Sequence, residues 1–534
     1  MSTPGLCESS ADVAIIGSGF AGSLTALALR SLGYSVLLLE RGRHPRFAIG
    51  ESSTPLANLL LEELSDRYGL TRVRPLSKWG TWQRHHPDIG CGLKRGFSFF
   101  RHAANQPFRD DRVHAHQLLV AASPHDEIGD THWYRPDVDA FLVQEAEQAG
   151  AEYLDNVALA EIRCEPDGVV MDSHRGGRAL RVRAGFVIDA SGTRGFLHRA
   201  LNLAERPLNW LPPTQGLYTH FTGVGRFEET PAAGFDEQPP FPVDAAALHH
   251  VFPGGWIWVL RFASGITSAG AAVTDPVAAA VRLDAQGGWE RLVSWFPSVQ
   301  AQFREARPVC PFVHVPRLAF RSAVVTGPRW ALLPSAAGVI DPLLSTGFPL
   351  TLLGILRLTR LFEGHAPAAA AFEEGLAQYG RQTLAELDAT EQLVGALYAS
   401  MEDFERFKRL ALLYFAAASY SETVRRLGRD EAAHGFLLCD DPIFGPELRA
   451  CATTACAALT DGDRGALFAR IDRAVRPFDV AGLGDRSRRD WYPVRPDDLR
   501  VAAPLLGASP REIDALLDRC GFARAHAGGA GAAH

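Results

Sequence analysis

The hydrophobic pattern at the start of the chain predicts a β-α-β unit. Residues 11–17, "ADVAIIG", form a short apolar run that is typical of a buried strand, and residues 23–33, "SLTALALRSLG", have helical spacing. A second apolar run follows at residues 34–42, "YSVLLLERG". Strands that alternate with helices indicate an α/β fold with a parallel sheet.

The rest of the pattern predicts a mixed architecture that ends in helices. Residues 55–70 and 136–150 are amphipathic, and Pro55 suits the first turn of its helix. Three further segments are predicted, in order, as a strand ending in a glycine turn (183–192), an antiparallel sheet (215–275), and a strand, loop and long apolar helix (329–362). Residues 366–475 are strongly helical in pattern.

The segment "CGLKRGFSFF" at residues 91–100 alternates like a strand. The alternation predicts one face with Leu93, Arg95, Phe97 and Phe99, and another with Lys94, Gly96, Ser98 and Phe100. Lys94 then has small neighbours and open space beside its amine. Burial there would lower the pKa of the amine and favour its nucleophilic neutral form. The alternative is a lysine at a strand edge that extends its charge into water.

Composition narrows the class of protein. Of 534 residues, 47% are apolar and 22% are charged, and the net charge is 54 − 61 = −7. These values are typical of a globular protein and disfavour a nucleic-acid or membrane-surface binder. The eight cysteines are scattered without zinc spacing, and neither a signal peptide nor a membrane-spanning run is evident. We therefore expect a cytoplasmic protein without a metal site; the adjacent His249 and His250 have no companion ligand at metal spacing.

A glycine motif indicates a dinucleotide. Gly17, Gly19 and Gly22 have G-x-G-x-x-G spacing between the first strand and its helix. The first glycine allows a tight turn, the second allows a pyrophosphate to approach the backbone, and the third allows helix and strand to pack closely. Glu40, at the end of the second strand, is placed to accept the ribose hydroxyls.

Three further stretches favour FAD over NAD. They are "GESSTP" (50–55), "HWYRPDVDAFL" (132–142) with Arg135 at a helix start, and "VIDASG" (187–192) as a second nucleotide-contacting turn. Their order resembles the glutathione-reductase-like flavin fold of the monooxygenase type. We expect a discontinuous FAD-binding domain over 10–360, with a substrate-binding β-sheet inserted at about 80–135 and 205–325. A helical lid would follow over 361–524, and residues 525–534 have the composition of a disordered tail.

The ordered set "GSGFAG", "GESSTP", "GLKRGFSFF", "WIWVL" (256–260) and "DPLLSTG" (341–347) resembles the flavin-dependent halogenases over about residues 10–360. That family includes tryptophan, phenol and pyrrole halogenases. The resemblance implies FAD used as FADH2, O2, chloride or bromide, a flavin reductase as partner, and a small aromatic substrate, free or carrier-bound. It implies hypohalous acid that travels through a tunnel to a catalytic lysine, which Lys94 matches; Lys78 and Arg95 are the nearest competitors.

The same resemblance and the motifs assign the remaining site residues. Halide is assigned to Ser345, Thr346 and Gly347, and the substrate pocket to Trp256 and Trp258. The cofactor is assigned to Gly17, Gly19, Phe20, Ala21, Gly22, Glu40, Arg41, Glu51, Ser52, Arg135, Asp189, Gly192, Asp341 and Gly347.

There are three departures from the family pattern, of which the first disfavours free tryptophan as substrate and the first two favour the monooxygenase or dehydrogenase alternative. Leu344 stands where tryptophan halogenases carry a glutamate beside "STG". In "WIWVLR" the usual Ile-Pro pair is replaced by Leu260 and Arg261, and Arg261 either binds a substrate anion or pairs with an acid of the chain. "PSAA" (334–337) lacks the aspartate usual in hydroxylases.

Two other functions remain open from the sequence: a flavin-dependent monooxygenase or dehydrogenase, and a flavin-binding protein without turnover. The pattern also leaves open whether Trp491 and Tyr492 cap the site or form a surface turn. Residues 404–428 are interpreted as a packing helix.

Overall fold

The computed structural model describes residues 7–230, 237–367 and 369–522. The predicted tail at 525–534 lies outside the described residues. Among the described residues, no helix combines the length and the apolar character needed to cross a membrane.

The strands and helices follow the predicted order. The strands are β1 Cys7–Ile16, β2 Val36–Leu39, β3 Cys91–Lys94, β4 Gly96–Arg101, β5 Gln117–Ala121, β6 Asp130–Trp133, β7 Glu152–Leu154, β8 Val157–Glu165, β9 Gly168–Arg175, β10 Arg178–Asp189, β11 Thr214–Thr222, β12 Ala247–Phe252, β13 Gly255–Arg261, β14 Thr267–Thr274, β15 Arg307–Pro308, β16 Val313–Val315, β17 Phe320–Arg321, β18 Thr326–Gly327, β19 Trp330–Leu332, β20 Gly338–Val339 and β21 Trp491–Tyr492. The α-helices are α1 Phe20–Ser31, α2 Pro55–Tyr68, α3 Trp79–His85, α4 Arg135–Gln148, α5 Phe196–Ala200, α6 Asp275–Val281, α7 Gln286–Ser294, α8 Pro297–Gln302, α9 Pro334–Ala337, α10 Gly347–Gly364, α11 Ala370–Tyr398, α12 Phe404–Arg426, α13 Phe444–Ala455, α14 Asp461–Val475, α15 Pro496–Val501 and α16 Pro510–Cys520.

The first large sheet confirms the predicted β-α-β unit. Its main path runs β18-β19-β10-β1-β2-β7, and the strands from β19 to β7 are parallel. The central strands are buried on both faces, which explains their continuous apolar runs. Helix α2 also begins as predicted: Pro55 is its first residue, and the N-cap Thr54 accepts a hydrogen bond from the Ala57 amide at 3.2 Å.

The second large sheet is mostly antiparallel and runs β15-β11-β14-β13-β12-β4-β5-β21. One of its faces packs on helices α6 to α8 through an apolar cluster that includes Phe100, Phe252 and Trp289. The other face carries Phe97 and Phe99, which contact Phe407 and Phe415 of α12. Residues 491–492 are not a surface turn: as β21 they pair with β5 at the edge of this sheet.

The prediction of one continuous strand over residues 91–100 is wrong. The structure breaks it at Arg95, so that β3 pairs with β6 in a separate two-stranded ribbon while β4 joins the second large sheet. The Arg95 side chain pairs with Asp126 at 2.6 Å and donates a hydrogen bond to the Ser123 carbonyl oxygen at 3.2 Å. The break changes the direction of the chain between Lys94 and Phe97, and the face assignment across it no longer holds.

Candidate active site

The glycine turn has the close contacts that its motif predicts. Gly17 has φ +96°, and a Cβ on it would lie 2.7 Å from the Ala190 carbonyl oxygen. A Cβ on Gly22 would lie only 1.8 Å from the Gly17 carbonyl oxygen. Helix α1 therefore starts directly against the strand ends, where its unpaired N–H groups and its dipole favour an anion.

Two arginines converge on the start of α1. Atoms of Arg135 and Arg46 lie 3.2 Å and 3.5 Å from the position of a Cβ on Gly19. Arg135 is fixed by Asp139 through two hydrogen bonds of 2.8 Å, and Asp139 also accepts from the Phe20 amide at 3.1 Å. Sequence reasoning missed Arg46, because its loop carries no motif. This concentration of cations and helix N–H groups fits the diphosphate of FAD.

The other predicted nucleotide contacts lie around the same turn. The Glu40 carboxylate accepts hydrogen bonds from the amide and hydroxyl of Ser18 at 3.1 and 3.0 Å. Asp189 accepts from the amides of Ser191 and Leu197, which shapes the turn leading to Gly192 at φ +84°. Their contacts with a nucleotide stay predictions, as does that of Arg41, whose side chain is exposed.

Residues 50–54 run from the nucleotide site towards the ribbon of β3 and β6. The buried carboxylate of Glu51 pairs with His220 of β11 at 2.7 Å, and this contact holds it against that strand. Ser52 is paired in an isolated bridge with His132 of β6, and its buried hydroxyl oxygen has no hydrogen-bond partner among the described residues. The Ser52 hydroxyl is therefore available to a polar ligand.

The segment assigned to halide lies at the start of α10. Leu344 and Ser345 have φ values of +65° and +55°, which turn the chain sharply so that Thr346 and Gly347 begin the helix. A Cβ on Gly347 would meet nothing within 4 Å, so its surroundings are open. The start of α10 meets that of α1, since the rings of Phe348 and Phe20 stack at 4.6 Å. The open space at Gly347, beside this aromatic contact, fits the flavin end of FAD.

Asp341 and Trp256 belong to one buried hydrogen-bonded chain. The Asp341 carboxylate accepts from the Trp256 indole at 3.1 Å, from the Tyr398 hydroxyl at 2.9 Å and from the Leu343 amide at 2.9 Å. Burial raises the pKa of Asp341 to about 6. Its oxygens are engaged by the protein, so a direct contact with cofactor stays a prediction. Trp258, two residues along β13, is also buried and donates to Ser268 at 3.4 Å.

Lys94 is fully buried, at 0% exposure. Its Nζ donates to the Ser53 carbonyl oxygen at 2.5 Å and lies 3.8 Å from the centre of the Phe97 ring. Burial lowers the pKa of this amine from its usual 10.5. The competitor Lys78 differs, because it is partly exposed and pairs with Glu62 at 3.5 Å.

The ribbon connects Lys94 with the flavin end of the nucleotide site. Asp130 lies opposite Lys94 in the register of β3 and β6, His132 bridges to Ser52, and Trp133 contacts Phe348 at 4.9 Å. From Asp130 to Trp133 the strand covers about 10 Å. His132 is fully buried, which lowers its pKa to about 3 and keeps it neutral. The step from Lys94 to α10 therefore runs along polar residues of β6 up to His132 and ends in the aromatic contact of Trp133 with Phe348.

A cleft of about 160 Å³ lies on the other side of Lys94. Its lining includes Phe97, Thr54, Tyr414, Ala418 and Tyr492, which come from β4, the N-cap of α2, α12 and β21. Lys94 contacts the ring of Phe97, which lines the cleft. It also donates to the carbonyl of Ser53, the residue before the lining residue Thr54. The tryptophans predicted for the pocket, Trp256 and Trp258, are not part of this lining.

Helix α12 lies in the region expected as a helical lid and forms part of the wall of the cleft, although its own pattern was interpreted only as packing. On α12, the residues that line the cleft and the residues packed in the core belong to one continuous apolar face. The sequence pattern therefore does not distinguish between them. Arg261 is paired with Asp244 at 3.1 Å and binds the carbonyl of Val224, as the paired alternative expected.

Comparison with known proteins agrees with this geometry. A family model described as FAD dependent oxidoreductase matches residues 12–345. The chain is 31% identical over 414 residues to monodechloroaminopyrrolnitrin halogenase PrnC of Pseudomonas fluorescens, over 75% of this chain and 70% of that protein. It is 30% identical over 352 residues to tetracycline 7-halogenase of Kitasatospora aureofaciens, over 63% of this chain and 60% of that protein.

Among solved structures, the crystal structure of halogenase PltM in complex with phloroglucinol and FAD is similar with a TM-score of 0.81 and 27% identity. The similarity covers 90% of this chain and 99% of that chain. It extends through the helical C-terminal region, beyond the residues that carry the sequence motifs.

Proposed function

The chain belongs to the FAD-dependent oxidoreductases and, among them, to the flavin-dependent halogenases, and on that premise we propose that it halogenates a phenol- or pyrrole-like ring through Lys94. Membership of this family favours halogenation over the monooxygenase and the non-catalytic flavoprotein. The observation that carries the role of Lys94 is its position: a fully buried amine between the flavin end of the nucleotide site and an apolar cleft.

FAD, when bound and reduced, supplies hypohalous acid from O2 and halide. Arg135, Arg46 and the start of α1 would hold its diphosphate, and the start of α10 with Ser52 would lie beside its ring system. A flavin reductase is the partner that would deliver FADH2.

The protein's own contribution is to position the halogenating agent and to exclude water. The neutral amine of Lys94 can attack the halogen of hypohalous acid, forming an N–X bond and releasing water after loss of the amine proton. Equally, the ammonium can donate a hydrogen bond to the oxygen of hypohalous acid and so polarise its O–X bond. In both cases a desolvated amine is required, because water around it would compete for the agent.

The cleft would hold the aromatic substrate against Phe97, whose ring also contacts this amine, although Lys94 is not itself among the lining residues. Its walls are largely apolar and aromatic, with Phe97, Tyr414, Phe415 and Tyr492 among them. A volume of about 160 Å³ suits a small aromatic ring. Leu344 leaves no carboxylate at the place where tryptophan halogenases have one, which supports a phenol- or pyrrole-like substrate over tryptophan.

The test is a product-mass measurement on the FAD-loaded enzyme with a flavin reductase, NADH and O2. Phloroglucinol, resorcinol, 4-methylphenol and pyrrole are each offered with chloride, with bromide and without halide. The proposal expects a halide-dependent mass gain with at least one of these probes. Incorporation of oxygen without halide dependence would contradict it.

A further inference from the structure

Asp130 lies directly opposite Lys94, and nothing in the sequence motifs marks it. The two residues are partners in the antiparallel register of β3 and β6. Partners in such a ribbon place their side chains on the same face. Both side chains are almost completely buried, so an acid and an amine share one space that excludes bulk water.

The carboxylate of Asp130 is only half engaged by the protein. The Asn58 side-chain amide donates to its Oδ1 at 2.7 Å. Within the described residues, Oδ2 has no hydrogen-bond partner, and no direct ion pair joins Asp130 to Lys94. One carboxylate oxygen is thus fixed by α2, and the other is held by no group within the described residues.

The charges around the pair support a mobile proton. Burial raises the pKa of Asp130 above its usual 3.8, while Lys94 opposes this rise and lowers it. On α12, Glu422 raises the pKa of Asp130, Arg426 lowers it, and Tyr414 remains protonated. Towards Lys94, His132 and His249 are held neutral by burial. The pKa values of Lys94 and Asp130 therefore shift towards each other from opposite sides.

We propose that Asp130 is the acid–base partner of Lys94. Asp130 takes a proton from the amine, returns it when halogen leaves for the ring, and then accepts the ring proton. This inference rests on the proposed function. Tryptophan halogenases carry a glutamate at the position of Leu344, before α10. Here Asp130 of β6 would supply a carboxylate instead.

The proposed steps balance. Lys94 ammonium passes one proton to the Asp130 carboxylate, through one water where the groups are out of direct reach. The neutral amine and hypohalous acid form an N–X bond and water. The ring carbon then attacks the halogen as the N–X bond breaks, and protonated Asp130 returns its proton to the nitrogen. The cationic ring finally loses its proton to the Asp130 carboxylate, which restores aromaticity.

The experiment compares Asp130→Asn with the wild type as FAD-loaded enzymes supplied with reductase, O2 and bromide. The probe is 4-methylphenol carrying one deuterium and one hydrogen at its two ortho positions. If Asp130 removes the ring proton rapidly, the wild-type product retains and loses deuterium equally. In Asp130→Asn, slow proton removal allows bromine addition to reverse, so the product retains an excess of deuterium. Product formation falls about 100-fold, the scale of a lost general acid–base.

Matched controls separate chemistry from folding. Asp126→Asn removes an exposed carboxylate that pairs with Arg95 near the same ribbon, and it should behave as wild type. Asp130→Glu keeps a titratable group and should restore part of the activity. If Asp130→Asn does not fold, Asn58→Ala provides the test, because loss of its hydrogen bond raises the pKa of Asp130 and moves the acid limb of the pH–kcat profile to higher pH.

The outcomes distinguish failure of this inference from failure of the proposed function on which it rests. If the wild type brominates 4-methylphenol and Asp130→Asn matches it in rate, in deuterium retention and in pH profile, the role of Asp130 is overturned. If the wild type oxidises FADH2 but halogenates none of the phenol and pyrrole probes with either chloride or bromide, the proposed function itself fails.

Discussion

The Nζ atom of Lys94 lies 3.8 Å from the centre of the Phe97 ring, and that ring forms part of the wall of the cleft. A fully buried amine thus lies against a side chain that a bound substrate would touch. Cation–π contact stabilises the ammonium, and burial opposes it, so the amine can exist in either form. The predictions below depend on this contact, on the FAD site and on the cleft.

Gly22→Ala is expected to abolish retention of FAD. A Cβ at this position would overlap the Gly17 carbonyl oxygen, so α1 must move away from the strand ends that bind the diphosphate. The measurement is bound flavin per chain after desalting. Gly465→Ala is the matched control, since a Cβ on this residue of α14 meets nothing within 4 Å. Equal flavin content in both variants would contradict the assignment of this turn to FAD.

Ala418→Trp is expected to block halogenation without stopping oxidation of FADH2. Ala418 lines the cleft from α12, and an indole there would occupy the space assigned to the aromatic ring. Product yield should fall at least about tenfold, because overpacking excludes the substrate. Ala280→Trp, at an exposed position of α6, is the control. Unchanged product yield in Ala418→Trp would show that the substrate binds elsewhere.

Asp341 should make the folded state less stable as the pH rises. Burial raises its pKa to about 6 from an ordinary value of 3.8, so the folded state binds more protons than the unfolded state between these values. Its contribution to the free energy of unfolding is therefore greatest below about pH 4 and is lost as the pH rises to about 6. Urea unfolding at several pH values, compared with Asp341→Asn, measures this difference. A wild type whose stability rises relative to the variant over this interval would contradict it.

The catalytic rate should have a maximum near neutral pH. The pKa of Lys94 is lowered and that of Asp130 is raised, so the form of the pair that holds one shared proton predominates over a pH interval narrower than the one between the ordinary values of 3.8 and 10.5. The rate should fall on both sides when kcat is measured with FADH2 supplied chemically, which removes the reductase's own pH dependence. A flat profile would contradict a titrating pair.

Local patterns allowed much of the architecture to be predicted. The strand pattern of residues 11–17 and the glycine spacing are short-range signals, and the structure confirms the strand and the turn. Lys94 is buried, but against the Phe97 ring and not on the predicted face of small residues. The nucleotide and halide contacts of the family motifs stay predictions.

The remaining part of the site depends on contacts between distant residues. The break at Arg95 follows from the pairing of β3 with β6, which a single strand pattern does not reveal. Asp130 was missed because it meets Lys94 only through that pairing, 36 positions along the chain (130 − 94). Likewise, Tyr492 reaches the cleft because β21 joins β5, although nothing in its own segment indicates a strand.

The most direct test of the central claim is a simultaneous measurement of FADH2 oxidation and brominated product in Lys94→Ala, beside wild type and Lys78→Ala. Lys78 is the matched control because it is a partly exposed lysine paired with Glu62. The account predicts that Lys94→Ala oxidises FADH2 at the wild-type rate but forms no brominated product, while Lys78→Ala does both. Brominated product from Lys94→Ala at the wild-type rate would contradict it.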